Sequence, residues 1–139
     1  RRGSASMDFC VTEFREKFPQ RGGVSRIWHA GLYSLAGLRY AWQSQAAFRQ
    51  EALLALVMVP AAFWVGQTVI ERLLLVGSVV LVLVIELCNS AIEAIVDRIG
   101  TELHPLSGAA KDLGSAAVLF SLLFALLTWV LIGLQRFAG

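Results

Sequence analysis

Residues 86–98 read Glu-Leu-Cys-Asn-Ser-Ala-Ile-Glu-Ala-Ile-Val-Asp-Arg, and this stretch decides how the chain folds. The thirteen residues before it, 73–85, carry no charge and are apolar apart from one glycine and one serine. On a helix, polar residues at i, i+3, i+7 and i+11 share one face, and here they are Glu86, Asn89, Glu93 and Asp97. Ionisable groups at membrane depth cost about a few kcal/mol each, so carboxylates kept there usually bind a metal, a cation or a proton.

The composition is that of an integral membrane protein. Of the 139 residues, 57% are hydrophobic and only 16% are charged, and the mean hydropathy is +0.66. An ordinary soluble domain of this size is less apolar. The net charge of +2 gives no reason to expect a nucleic-acid partner.

The hydrophobic pattern predicts an all-α membrane protein. Residues 1–6 look like a remnant of cloning, and residues 7–24 read as a polar cytoplasmic tail. An amphipathic helix with aromatic and basic residues, suited to the membrane interface, is predicted for 25–44. Three membrane-spanning helices follow, at about 46–66, 70–99 and 113–135, and the connection 100–112 is polar.

The basic residues predict the orientation. Eight of the twelve Lys and Arg residues lie in residues 1–51, before or at the start of the first span. The positive-inside rule therefore places the N-terminus and the 100–112 connection in the cytoplasm.

The polar face then runs from just inside the lipid to the cytosol. Glu86 can meet a lipid headgroup, while Glu93 can meet a water-soluble ligand. Lys111 and Asp112 open the third span on the same side. Carboxylates beside cations suit metal-assisted phosphoryl transfer, in which oxygen ligands hold Mg²⁺ and one carboxylate takes the proton from the attacking hydroxyl. The sequence has neither a P-loop nor a protein-kinase signature.

Other interpretations of these residues stay open. An intramembrane Glu86 also suits a small cation or drug transporter. Ion pairs between Glu93 and Arg98, or between Asp97 and Lys111, could simply join helices, as in a non-catalytic assembly subunit. The residues alone favour an enzyme and a transporter about equally and a structural oligomer less.

Three stretches of the sequence resemble the bacterial integral-membrane diacylglycerol kinases: 46–51 (Ala-Ala-Phe-Arg-Gln-Glu), 86–100 and 106–118. The spacing of Ala-Gly-Leu-Arg at 36–39 resembles that family as well. The resemblance extends from about residue 25 to 136. It implies a homotrimer of the inner (cytoplasmic) membrane, each protomer having a surface helix and three membrane helices. It also implies transfer of the γ-phosphate of MgATP to diacylglycerol, which gives phosphatidic acid in phospholipid recycling.

The resemblance also assigns roles to residues. Glu86 resembles the catalytic base, with Asn89 and Asp97 in support, and Glu93 resembles a ligand of Mg²⁺. The implied ATP contacts are Arg26, Tyr33, Gln45, Glu93, Glu102, Leu103, His104, Lys111 and Asp112. The implied lipid contacts are Ala30, Gly31, Leu32, Tyr33, Ser34, Leu35, Arg39, Trp42, Ala47, Phe48, Arg49, Gln50, Glu51, Glu86 and Ser115.

One position departs from the family pattern. Where the family has a second metal-binding carboxylate, just before Ala-Ala-Phe-Arg-Gln-Glu, this chain has Gln45. A neutral amide oxygen is a weaker ligand for Mg²⁺ than a carboxylate, so we expect reduced activity, whether Gln45 is natural or engineered. An undecaprenol kinase of the same fold is the closest rival, although residues 99–108 look more like the diacylglycerol branch.

Overall fold

A computed structural model describes residues 24–99 and 104–138, with side chains placed from Ile27 onward. The predictions for the tail, the Arg26 side chain, Glu102 and Leu103 fall outside this part of the chain. The described residues form four helices: α1 (Val24–Ser44), α2 (Ala46–Val65), α3 (Val69–Ile99) and α4 (Pro105–Ala138). Helices α2, α3 and α4 are long and apolar enough to cross a membrane. The predicted all-α membrane fold is confirmed.

The described residues up to Leu38 and those from Arg39 onward belong to two separate compact units. In the first unit, helix α1 exposes large apolar side chains to its surroundings. Ile27, Trp28, Leu32 and Leu35 are all exposed and, with Gly31, line a shallow apolar groove. A helix with such a surface is suited to the membrane interface.

The joint between α1 and α2 lies in the second unit and consists of one residue, Gln45. Its backbone is extended (φ −108°, ψ 113°), and it precedes the first turn of α2 without a capping bond from its side chain. The Arg49 guanidinium donates to the carbonyl oxygens of Trp42 (3.1 Å) and Gln43 (3.3 Å). Arg49 thereby satisfies carbonyl groups that the end of α1 leaves without a helical partner.

A tight connection, residues 66–68, joins α2 to α3. Thr68 Oγ1 accepts from the Glu71 N–H (3.2 Å), and Glu71 Oε2 accepts from the N–H groups of Thr68 (3.2 Å) and Gln67 (2.7 Å). This reciprocal capping box fixes the start of α3. Arg72 Nε also donates to the Gly66 carbonyl oxygen (3.0 Å), which closes the connection.

Helix α3 is central, because it packs against both α2 and α4, which touch each other little. An apolar core formed by Ala62, Val65, Leu75 and Ile132 lies where the ends of α2 and α4 meet the start of α3. The three helices are therefore antiparallel to their neighbours in sequence. Many large apolar residues on the outer faces of the bundle, such as Leu73 and Phe120, stay exposed, as expected of helices that contact lipid.

Helix α4 begins earlier than the predicted span. The sequence predicts a span from 113, but the helix starts at Pro105, a residue favoured in the first turn. His104 precedes it, and its Nδ1 accepts from the Leu106 N–H (3.2 Å). The prediction missed these turns because it followed hydrophobicity, and residues 105–112 are mostly polar or small.

Candidate active site

The polar face of α3 runs from the interior of the bundle to its surface. Glu86 and Asn89 are only 4% and 8% exposed, although one is ionisable and the other strongly polar. Glu93 is half-buried, and Asp97 is exposed. The spacing read from the sequence therefore places a buried carboxylate at one end of this face and a solvated carboxylate at the other.

Asn89 connects two successive helical turns of this polar face. Its Nδ2 donates to Glu93 Oε1 (3.1 Å), one helical turn further along α3. Asn89 Oδ1 and the neighbouring Ser90 Oγ are buried and have no hydrogen-bond partner among the described residues. A buried polar atom without a partner costs about 1–3 kcal/mol, so these atoms call for an explanation beyond packing.

Glu51 of α2 adds a fourth carboxylate to Glu86, Glu93 and Asp97. It interacts electrostatically with Glu86, which in turn interacts with Glu93. Glu51 Oε2 is buried and has no hydrogen-bond partner in the described part of the chain. Glu51 is also the one polar residue lining a cavity of about 60 Å³ between α2, α3 and α4. The other lining residues are apolar: Leu54, Ala55, Met58, Val79, Val82, Leu83, Leu122 and Ala125.

Lys111 brings a positive charge to the solvated end of this polar face. Its Nζ lies 2.6 Å from Asp97 Oδ1, and the two side chains are 42% and 67% exposed. Lys111 also interacts electrostatically with Glu93. Of the two ion pairs that the residues allow, the structure forms the pair between Asp97 and Lys111. Because this pair is largely solvated, it contributes little to stability.

The donor set fits Mg²⁺ only in company with a nucleotide. No three His, Cys, Asp or Glu side chains within the described ranges converge as a metal site. Mg²⁺ is typically held by one or two carboxylates together with substrate phosphates and water. Glu93, half-buried and oriented by Asn89, has the chemistry of such a single ligand.

Known proteins resemble this chain in sequence. The sequence profile of the prokaryotic diacylglycerol kinases matches residues 32–133. The chain belongs to this family. It is 53% identical to the diacylglycerol kinase of Escherichia coli strain K12 over 110 residues, which are 79% of this chain and 90% of that protein. The similarity suggested by the three sequence stretches is thus confirmed, and the chain is a kinase.

Two further relatives are also named diacylglycerol kinase. The diacylglycerol kinase of Haemophilus influenzae is 47% identical over 107 residues (77% of this chain, 91% of that protein). The diacylglycerol kinase of Pseudomonas aeruginosa is 47% identical over 115 residues (83% of this chain, 94% of that protein). The prediction of the diacylglycerol branch is confirmed at the level of the family.

The remaining residues singled out by the family resemblance are spread over three places. Tyr33 and the range 30–35 lie on the exposed part of α1, in the first compact unit. Around the joint and the start of α2, Trp42, Ala47 and Gln50 are exposed, whereas Phe48 is buried in the bundle. His104, Asp112 and Ser115 are exposed at the start of α4.

Sequence reasoning placed Glu51 only among the lipid contacts and missed its proximity to Glu86. No periodicity could reveal it, because the two residues are on different helices. A usable signal was the position of Glu51 in the second turn of a helix that is apolar apart from Arg49 and Gln50, because a carboxylate is costly there without a function.

Proposed function

We propose that this kinase transfers the γ-phosphate of MgATP to the free hydroxyl of diacylglycerol, forming phosphatidic acid. The site is the end of the bundle at which Glu86, Asn89, Glu93 and Lys111 meet. One observation carries the proposal: Glu86 is almost completely buried, yet it shares one face of α3 with the half-buried Glu93 and with the exposed Asp97, which pairs with Lys111. A reaction between a membrane lipid and a soluble nucleotide needs such a connection between lipid depth and water.

Glu86 is the general base. Its carboxylate accepts the hydroxyl proton of the lipid as the hydroxyl oxygen attacks the γ-phosphorus, while the bond from the γ-phosphorus to the bridging oxygen of ADP breaks. The packed surroundings of Glu86 restrict its motion, which favours proton transfer at a defined position.

The nucleotide lies toward the cytoplasmic end. Lys111 and Asp112, on the first turns of α4, and Glu93, on α3, border the region in which the phosphates bind. Mg²⁺ bound with ATP supplies positive charge to the phosphate oxygens. Glu93 would be its protein ligand, Asn89 orients Glu93, and Gln45 would be a weaker second ligand. His104, Glu102, Leu103, Arg26 and Tyr33 are further ATP contacts that rest on the family resemblance.

The lipid approaches from the bilayer side. The apolar cavity that Glu51 helps to line has the chemistry for part of an acyl chain, and Glu51 interacts with Glu86. Support for further lipid contacts on α1 and on α2 comes from the resemblance. The enzyme works as a homotrimer in the inner membrane of a bacterium, with its N-terminus in the cytoplasm.

The test is transfer of ³²P from γ-labelled ATP in mixed micelles, with diacylglycerol and undecaprenol offered separately. The chain as it is, its Gln45→Glu form and its Glu86→Gln form are compared. We expect labelled phosphatidic acid from diacylglycerol, more of it with Gln45→Glu, and almost none with Glu86→Gln.

Product from undecaprenol alone would contradict the proposed substrate. No lipid product from any form, combined with Glu86-dependent cation flux in proteoliposomes, would contradict phosphoryl transfer and support the transporter interpretation instead.

A further inference from the structure

Gly114 of α4 is packed against the side chain of Asn89. A Cβ atom placed on Gly114 would collide with Asn89 Oδ1 and would lie 3.3 Å from Asn89 Cγ. Gly114 is buried. By contrast, a Cβ placed on Gly77 of α3 or on Gly133 of α4 meets nothing within 4 Å. Of these three glycines, Gly114 is therefore the one whose lack of a side chain leaves room for the side chain of another residue.

Both polar atoms of the Asn89 amide have a neighbour that fixes their position. Nδ2 donates to Glu93 Oε1, which sets one side of the amide. Oδ1, which has no hydrogen-bond partner in the described part of the chain, occupies the space that a side chain at 114 would fill. The amide is thus held between the backbone of α4 and the Glu93 carboxylate.

A glycine between two membrane helices often only allows close packing of their backbones. Here the geometry differs, because the nearest atoms to a Cβ at 114 are the end of the Asn89 side chain. The backbone of α3 is further away, with Asn89 Cα at 3.8 Å, an ordinary van der Waals distance. A methyl group at 114 would consequently be accommodated by turning the amide rather than by separating the helices.

We propose that Gly114 is a positioning residue of the kinase, which seats the Asn89 amide so that it presents its N–H to Glu93. The inference rests on the proposed function in assigning Glu93 to the nucleotide and Mg²⁺. Gly114 itself touches no substrate. Its contribution is to fix the orientation of Glu93 through Asn89.

The first test is spectroscopic and independent of turnover. Asn89 is the only asparagine in the sequence, so labelling with ¹⁵N-asparagine gives a single pair of side-chain amide signals. In detergent micelles we expect Gly114→Ala to shift this pair strongly, because the bond to Glu93 is lost. Gly133→Ala, the same substitution further along α4, should leave it in place.

The second test is kinetic. Activity is measured against Mg²⁺ concentration for Gly114→Ala, Asn89→Ala, the double variant and Gly133→Ala, and thermal unfolding is followed on the same samples. Gly114→Ala should lower kcat about tenfold and raise the Mg²⁺ concentration for half-maximal activity, since a hydrogen bond to a charged group is lost. The double variant should be no worse than Asn89→Ala, because both changes break one interaction.

Three results would overturn the inference. One is an unchanged amide spectrum in Gly114→Ala. Another is a loss of activity that follows the unfolding midpoint with no change in Mg²⁺ dependence, which is the signature of a packing role. The third is additive losses in the double variant. If the unsubstituted chain formed no phosphatidic acid, the proposed function would fall and the role in catalysis with it, while the spectrum would still decide whether Gly114 seats Asn89.

Discussion

At one end of the helix bundle, Ala62, Val65, Leu75 and Ile132 form an apolar core, whereas at the other end Glu86 and its polar neighbours occupy equally buried positions. The same three helices build both ends. In the apolar core the packed side chains need no hydrogen-bond partner, although Trp129, which packs against this core, has a buried indole Nε1 without a partner in the described part of the chain. In the polar end, Asn89, Ser90 and Glu51 each have a buried oxygen without a hydrogen-bond partner among the described residues.

This difference indicates which end of the bundle stabilises the fold and which end carries the function. Buried polar groups that lack partners lower stability compared with apolar residues of similar shape. Proteins keep such groups mainly where function requires them. The apolar end is therefore the scaffold, and the polar end is the site that the scaffold supports.

The largest expected effect is that of Glu86→Gln on catalysis. Removal of a general base lowers phosphoryl transfer by about 10³-fold, which corresponds to about 4 kcal/mol of barrier. The unfolding midpoint in detergent should stay the same or rise, because a buried carboxylate is replaced by a neutral group. Kinase assays and thermal unfolding of one preparation check both.

Glu71→Gln is the matched control, being the same substitution on the same helix at the opposite end. Glutamine can replace glutamate in a capping box, so activity should be retained. Equal loss of activity in both variants would argue against a special role for Glu86.

The next effect is on stability. Leu75 is completely buried in the apolar core, and Leu75→Ala should lower the free energy of unfolding by about 2–5 kcal/mol through the cavity it creates. Activity per folded molecule should hardly change. Leu73→Ala, two residues earlier and exposed on the outer face, should cost far less. Urea or thermal unfolding in micelles compares the two, and similar losses would remove the basis for calling the apolar end the scaffold.

Gln45→Glu should act in the opposite direction, by raising turnover about tenfold, the size of effect typical of changes around a metal ligand. The backbone at 45 tolerates a carboxylate, since it precedes the positive N-terminal end of α2. The gain should be accompanied by activity at lower Mg²⁺ concentrations. Gln135→Glu, at the other end of the bundle, serves as the control. Unchanged turnover of Gln45→Glu at saturating Mg²⁺ would contradict a metal role for this position.

The smallest expected effect concerns the solvated pair of Lys111 and Asp97. Asp97→Asn should change the unfolding midpoint by no more than a few degrees, because exposed ion pairs contribute little. Lys111→Met should lower the affinity for ATP, which is measured as KM, while Asp97→Asn should alter KM much less. Equal changes in KM would indicate that Lys111 acts only through its pair with Asp97.

The sequence predicts much of the scaffold. Long apolar runs with polar ends specify three membrane helices, because hydrocarbon excludes other backbone structures from lipid. The start of α4 cannot be predicted from hydrophobicity, because residues 105–112 form a helix without being apolar. The capping box of Thr68 and Glu71 was readable as Thr-x-x-Glu, and its recognition would have fixed the start of α3.

The site is only partly readable from the sequence. The common face of Glu86, Asn89 and Glu93 follows from helical spacing, because all three belong to one helix. The approach of Glu51 to Glu86 and the contact of Gly114 with Asn89 depend on how neighbouring helices are rotated and how closely they cross. Those quantities are set by packing along the whole helix, so no local pattern encodes them.

The most direct measurement compares Glu86→Gln and Leu75→Ala side by side, with phosphatidic acid formation and the unfolding midpoint determined on the same purified samples. A division between site and scaffold predicts opposite outcomes: Glu86→Gln folds at least as stably as the unsubstituted chain and is almost inactive, whereas Leu75→Ala unfolds earlier and remains active while folded. Glu86→Gln losing activity only as far as it loses folded protein would contradict that division.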